Sequence, residues 1–317
     1  LVIFNFNACG GNGLIGRALK TKLLAKGINV RIILRNPRRS QDLSWKTVES
    51  SGLPEDTHAV INLSGRSIGE INPKFLFSNR AYNEFLEEVR SSRIETTKTL
   101  VQSLSKSTKH FINSSAIGFY KPDLSRSYCE KDGYEESGFL SRLVHDWEAA
   151  CSGSQLDGIR RVFVRTGIAL SNDGGALANM YTSHRLGLAG PIGDGKQWFS
   201  WIHIDDLVNI FCFLLTDPSG QKLDGPVNAT APNPVRQGAF SRALCQSLGA
   251  PSFGGRIPTP AFVVKAMLGA HRAPLLLEGQ RVLPVKVTAA GFRFQYPTLE
   301  SAFENLYGRK LPPVPTD

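Results

Sequence analysis

Apolar and polar residues fall into two kinds of block along the first half of the chain. Short apolar runs stand at Val2–Phe6, Val30–Leu34, Ala59–Leu63, His110–Asn113 and Arg161–Arg165. Runs of that length bounded by turn residues predict buried strands. Between the first two, Leu14, Ile15, Ala18, Leu19, Leu23 and Leu24 repeat at helical spacing over Leu14–Lys26, and Gly27 is a natural stop. Helical periodicity returns over Asn83–Leu104 and Leu140–Cys151. Strands alternating with helices predict a doubly wound α/β fold, with a parallel sheet covered on both faces.

The second half reads differently. Gly174–Gly195 is dense in glycine, with Gly187, Gly190, Pro191 and Gly193, and suggests loops or a lid over a site. Ile204–Leu215 predicts a short helix capped by Asp205 or Asp206, and Val227–Ala229 a returning strand. Beyond Pro251, Pro258, Pro260, Pro274, Pro284 and Pro297 divide the chain into short helices. The organisation expected is a dinucleotide-binding domain over 1–170, a smaller, mainly helical substrate-side region interleaved with it over 171–310, and a frayed tail over 311–317. There is no internal repeat.

Composition narrows the class. The 317 residues, 41% of them hydrophobic and 20% charged, suffice for a full core and exclude global disorder. The apolar run Val208–Leu215 is far too short to span a bilayer. Cys9, Cys129, Cys151, Cys212 and Cys245 are odd in number, scattered and without a CxxC pair, which suits a reducing intracellular compartment. The chain opens at Leu1 rather than Met, so a start with any targeting peptide is expected upstream; cytoplasm and mitochondrion stay equally open. Lys and Arg exceed Asp and Glu by 37 to 27, but the densest cationic stretch is only Arg35-Asn36-Pro37-Arg38-Arg39. Net charge alone is a weak pointer to nucleic acid. The six His show no metal-ligand spacing, and no GxSxG elbow occurs.

The strongest chemical signal lies after the first strand. Gly10, Gly11, Asn12, Gly13, Leu14, Ile15 and Gly16 satisfy both GxGxxG and GxxGxxG, between a strand and a helix. Glycines let the backbone turn sharply and let a pyrophosphate approach; the helix N-terminus supplies free N–H groups to it. This is a Rossmann β-α-β unit, and it implies a nicotinamide dinucleotide. The second strand ends Leu34-Arg35, with Arg38 and Arg39 nearby and no acid until Asp42. A carboxylate there would accept from a ribose 2′-hydroxyl; a guanidinium grips a 2′-phosphate with two bonds. NADP(H) is therefore favoured over NAD(H).

Further motifs carry a family resemblance. Asn62-Leu63-Ser64-Gly65, Ser114-Ser115-Ala116-Ile117-Gly118-Phe119-Tyr120, Arg165-Thr166-Gly167 and Trp201-Ile202-His203-Ile204-Asp205-Asp206 join the glycine string. Together they resemble an extended short-chain dehydrogenase/reductase. Gly187-Leu188-Ala189-Gly190-Pro191-Ile192-Gly193, Gly279-Gln280-Arg281-Val282-Leu283-Pro284 and Ala290-Gly291-Phe292 narrow this to the atypical "epimerase family" branch, nucleotide-sugar epimerase or cell-division-inhibitor-like. The resemblance implies that Gly10, Gly13 and Gly16 cradle the pyrophosphate and that Leu34 and Arg35 face the adenosine ribose. It places Leu63 and Ser64 on the adenine and ribose side, Glu88 and Arg93 against the cofactor, and Ala169 near the nicotinamide.

The superfamily's proton-transfer pair is missing. None of the seven Tyr is followed four residues later by Lys; Tyr181 comes nearest, with Arg185. Aligned through Trp147-Glu148, the family's Tyr and Lys positions hold Leu140 and Val144. Candidate substitutes are Ser115 for a substrate hydrogen bond, Tyr120 after the fourth strand, and His203, which titrates in the useful range. Trp198-Phe199-Ser200-Trp201 offers an aromatic wall or simply core. Three readings follow: an NADP(H)-dependent oxidoreductase or epimerase acting on an unknown carbonyl or sugar-like small molecule; a non-catalytic NADP(H)-binding sensor or subunit of a larger protein assembly; and, on charge alone, a nucleic-acid binder.

Overall fold

A computed structural model describes residues 3–6, 11–37, 39–69, 74–251, 253–268 and 273–316. Its centre is a parallel seven-stranded sheet. In chain order the strands are β1 (Ile3–Phe6), β2 (Asn29–Leu34), β3 (Leu43–Ser44), β4 (Ala59–Asn62), β5 (His110–Ala116), β6 (Arg160–Thr166) and β7 (Gly225–Ala229). Across the sheet they run β3-β2-β1-β4-β5-β6-β7. Strand order reverses between β1 and β4, and in such sheets ligands bind outside the carboxyl ends at that crevice.

Burial on both faces explains the unbroken apolar runs. All four residues of β4 are buried. Ala59 and Ile61 point into one cluster with Leu19 and Leu23 of α1 (Leu14–Ala25), while Val60 points into another with Leu100, Val101 and Phe111. The second face is covered by α2 (Asn79–Gln102) and α3 (Phe139–Ala149). The first face is also covered by α4 (Ile204–Thr216), whose Leu207, Ile210, Phe211 and Leu214 join the α1 cluster. The later half of the chain thus returns to the sheet twice, through α4 and through β7.

Beyond the main sheet, the later half of the chain is organised around three two-stranded ladders. Ile168–Leu170 runs parallel to Trp201–His203, Trp198–Phe199 antiparallel to Val235–Arg236, and Ser127–Tyr128 parallel to Arg281–Val282. Phe199, Trp201, Phe240 and Phe303 form its core, with α5 (Gln237–Ser247) and α6 (Leu299–Tyr307) around them.

Several local expectations change here. Gly174–Gly195 is not all loop: Ala176–Arg185 is a helix with Leu177 and His184 turned inward. Neither Asp205 nor Asp206 caps α4. The His203 side chain does so, its Nδ1 accepting from the Asp205 N–H at 3.1 Å. Asp206, fully buried, instead accepts the N–H groups of Gln295 and Tyr296 at 2.8 and 2.9 Å, stitching the C-terminal segment to the sheet. The tail is docked as far as Val314, which packs on the Phe303 cluster and donates its N–H to Glu300.

Candidate functional site

The carboxyl ends of β1, β4, β5 and β6 hold most of the residues singled out above. Gly10 lies outside the described residues. Gly11, Asn12 and Gly13 lead into α1, and Gly13 sits at its N-cap in extended backbone with no side-chain cap on the helix. The first-turn N–H groups are thus left to another partner. Leu14, Ile15, Leu34, Leu63 and Ala169 pack around one apolar cluster, which brings the glycine turn, the ends of β2 and β4 and the Ile168–Leu170 ladder together. Gly16 is buried in α1.

Arg35 is exposed at the end of β2. The nearest acid downstream in sequence is already used: Asp42, 8% exposed, holds Arg39 through two bonds of 3.0 and 2.9 Å and accepts the Ile32 N–H at 3.2 Å. Arg38 lies outside the described residues.

The loop after β4 is held from below. Asn62 Nδ2 donates to Thr97 Oγ1 and Asn113 Oδ1 at 2.9 and 2.7 Å, and its Oδ1 accepts the Ser64 N–H at 3.0 Å. Trp147 Nε1 donates to the same Thr97 oxygen at 3.1 Å. Ser64 Oγ is buried and has no hydrogen-bond partner among the described residues. Beside it, an added Cβ on Gly65 would lie 2.8 Å from Arg93 Cζ, so a larger residue there would make that guanidinium shift. Arg93 donates to the carbonyls of Arg66 and Val89 and lies 5.2 Å from the Trp147 ring centroid. Burial draws its pKa down to about 10, and among the described residues no carboxylate pairs with it. Glu88 pairs with Arg66 instead. The two helix residues therefore both meet Arg66, Arg93 at its carbonyl and Glu88 at its guanidinium.

A second network lies under the ends of β5, β6 and β7. Ser115 Oγ donates to Glu148 Oε1 at 2.6 Å. Arg165, its side chain 4% exposed, donates to Glu148 Oε1 and Oε2 at 2.8 and 2.7 Å and to Tyr120 Oη at 3.0 Å. Tyr120 Oη donates to Asn228 Oδ1 at 2.8 Å. Burial pushes the Tyr120 phenol up to about 12, with Arg165 opposing. Tyr120 is thus fully buried with its hydroxyl engaged as donor and as acceptor, which is the bonding of a strut. Leu140 and Val144, at the family's Tyr and Lys positions, pack against the turn after β5: a Cβ on Gly118 would contact them at 3.5 and 3.7 Å.

His203 stands apart from this network. It is buried, lies against Tyr296 with centroids 4.0 Å apart and the rings tilted by 40°, and has Asn305 alongside; its Nδ1 is the cap acceptor, and burial lowers its pKa. Among the ladder residues, Trp198 is flanked by Arg236 and Arg281 at 3.7 and 4.8 Å, and Arg281 Nε is buried without a partner among the described residues.

Glu148, Arg165 and the Asn62–Thr97–Asn113–Trp147 group were not picked out as functional from sequence. Their signal was present: polar residues at inward positions of otherwise apolar strands and helices.

Comparisons with known proteins bear on the family and the fold. Residues 9–229 match the model described as NAD dependent epimerase/dehydratase family, and residues 259–306 match a domain of unknown function, DUF1731. The Bos taurus epimerase family protein SDR39U1 is 39% identical over 302 residues, covering 94% of this chain and 97% of the relative. A Staphylococcus aureus epimerase family protein is 34% identical over 306 residues, covering 94% and 97%. Among solved structures, human epimerase family protein SDR39U1 (isoform 2) with NADPH superposes with a TM-score of 0.86 at 35% identity, covering 97% of this chain and 99% of that one. A nucleoside-diphosphate sugar epimerase from Corynebacterium glutamicum gives 0.73 at 26% identity, covering 98% and 59%. With its Rossmann sheet, its glycine turn and matches along nearly its whole length, the chain belongs to the NAD dependent epimerase/dehydratase family.

Proposed function

We propose that this chain binds NADP(H) across the carboxyl ends of β1, β2 and β4. There it serves an oxidoreductase or epimerase-type reaction on a small carbonyl or sugar-like compound, without a Tyr-Lys pair. The observation that carries the reading is the cluster of Ser64, Gly65 and Arg93 after β4. It combines a buried hydroxyl lacking a partner, a missing Cβ, and a desolvated cation paired with no carboxylate among the described residues. Such a site is completed by an anionic, hydroxyl-rich ligand. The human relative crystallised with NADPH supports the same assignment.

In this reading Gly10, Gly11, Asn12, Gly13, Leu14, Ile15 and Gly16 receive the pyrophosphate, and Leu34 and Arg35 the phosphorylated ribose. Leu63 and Ser64 line the adenosine side, Arg93 and the Glu88–Arg66 pair hold that loop, and Ala169 flanks the nicotinamide. When bound, the cofactor supplies or accepts a hydride. Ser115 positions substrate, while Tyr120 and His203 act as struts. With the Ser115 proton directed at Glu148, the hydroxyl meets substrate as an acceptor.

The packing of Leu140 and Val144 favours a second reading, a non-catalytic NADP(H)-binding sensor or assembly subunit. Thermal shift with NADPH and NADH tests the shared part. NADPH should raise the melting temperature more than NADH. Arg35→Ala should weaken NADPH roughly 10–100-fold while leaving NADH unchanged, the worth of a charge-assisted hydrogen bond. Equal shifts from both cofactors would overturn the assignment. Transfer of deuterium from 4-deuterated NADPH into a carbonyl panel then separates the two readings.

A further inference from the structure

From Gly225 to Leu277 the sequence contains no Asp or Glu, yet it carries Arg236, Arg242, Arg256, Lys265 and Arg272. From Gly174 to Gly193 it again lacks any carboxylate and carries Arg185. The structure zips parts of these two stretches together. Gly255 N–H donates to the Ala189 carbonyl at 3.1 Å, Thr259 N–H to Pro191 at 2.7 Å, and Gly193 N–H to Thr259 at 2.8 Å. The surface so formed is unusually apolar. Leu186, Leu188, Phe253, Ile257 and Phe262 are 54, 71, 48, 58 and 73% exposed, and they make up five of the nine large apolar side chains exposed among the described residues. Arg185, Arg256 and Lys265 are exposed in the same two stretches, and the exposed carboxylates Asp194 and Glu278 stand just past their ends.

Single exposed apolar residues are ordinary, but a cluster of them marks a contact surface. Here both stretches carry cations, and carboxylates stand only at their ends. We infer that this face docks on an anionic phospholipid bilayer: Leu188, Ile257 and Phe262 enter the headgroup–acyl boundary, and Arg185, Arg256 and Lys265 meet lipid phosphates. A second copy of the chain fits poorly, because it would set cation against cation. RNA would engage the cations and leave the aliphatic side chains without a role. No helix among the described residues is long and apolar enough to cross a membrane, so the contact is peripheral.

The test is flotation of the full chain with vesicles of phosphatidylcholine alone and of phosphatidylcholine with phosphatidylserine. The chain should float with the anionic vesicles only and be released by salt. Neutralising two cations in R256S/K265S should weaken partition about thirtyfold. Removing two apolar anchors in L188S/F262S should weaken it at least about tenfold at constant charge. All four side chains are exposed, so both variants should keep the parent melting temperature and its response to NADPH, which guards against misfolding. The inference is overturned by failure to float with anionic vesicles at low salt, or by flotation that L188S/F262S leaves unchanged. It is equally overturned by a solution dimer that L188S/F262S dissolves, or by an RNA mobility shift that follows Arg256 and Lys265 while flotation does not.

Discussion

Glu148→Ala tests the buried network most sharply. In the parent, the Arg165 guanidinium is buried and held bidentate by Glu148 at 2.8 and 2.7 Å, with the Phe119 ring centroid 3.4 Å from its Cζ. The substitution leaves that cation in place with Tyr120 Oη as its remaining side-chain partner, and it deprives Ser115 of its acceptor. Breaking a buried ion pair from one side costs about 3–5 kcal/mol, and the stranded hydroxyl adds about 1 kcal/mol. At roughly 2 °C per kcal/mol for a chain of this size, the melting temperature should fall by about 8–12 °C in scanning calorimetry. The control is Glu148→Leu combined with Arg165→Met. If the loss arises from an orphaned charge, removing the charge as well should recover about 2 kcal/mol or more of it. A drop under about 2 °C in Glu148→Ala, or a double variant whose losses simply add, would falsify the account of the pair as mutually dependent.

Three further outcomes follow from the same coordinates. Burial lowers the pKa of His110, His184 and His203. Unfolded imidazoles take up protons near pH 6.5 and these do so only at lower pH, so stability present above about pH 6.5 is lost as pH falls toward the folded values. The melting temperature should therefore decline from neutral to mildly acid pH; Asp206, raised by burial from 3.8, acts in the opposite sense at more acid pH. A flat profile across that span would contradict the lowering of these pKa values by burial. Gly279→Ala would put a Cβ 2.0 Å from the Trp198 carbonyl oxygen, forcing the two segments apart. Its expected cost is about 1–3 kcal/mol, read as lower thermal stability with altered tryptophan fluorescence. Tyr120→Phe removes one bond to Asn228 and one from Arg165. It should cost about 2–3 kcal/mol of stability while leaving the pH profile of any hydride transfer unchanged; lost turnover at unchanged stability would return Tyr120 to the role of proton donor.

What could be read in advance divides along a physical line. The strands, α1 and the glycine turn are local: a five-residue apolar run, a 3.6-residue stripe and a glycine string each carry their own signal. The parallel order follows from strand–helix alternation. Glycine density misled at Gly174–Gly195, because the helix Ala176–Arg185 turns few side chains inward and shows little stripe. The site network was hidden for another reason. Ser115 meets Glu148 across 33 positions and Tyr120 meets Asn228 across 108, so no spacing rule reaches either pair. What sequence did suggest was an absence, Leu140 and Val144 aligned where the superfamily has Tyr and Lys, and the buried network beside them bears on it. The family's lysine lowers a phenol pKa because its positive charge is uncompensated nearby. Here the nearest strong cation is Arg165, and Glu148, one turn beyond Val144, neutralises it with two short bonds. Arg165 beside it still favours the phenolate, but burial outweighs that pull, and the Tyr120 phenol stands above its ordinary value, not below it. On the proposed reading, any hydride step in this pocket draws its proton from water or from the substrate itself.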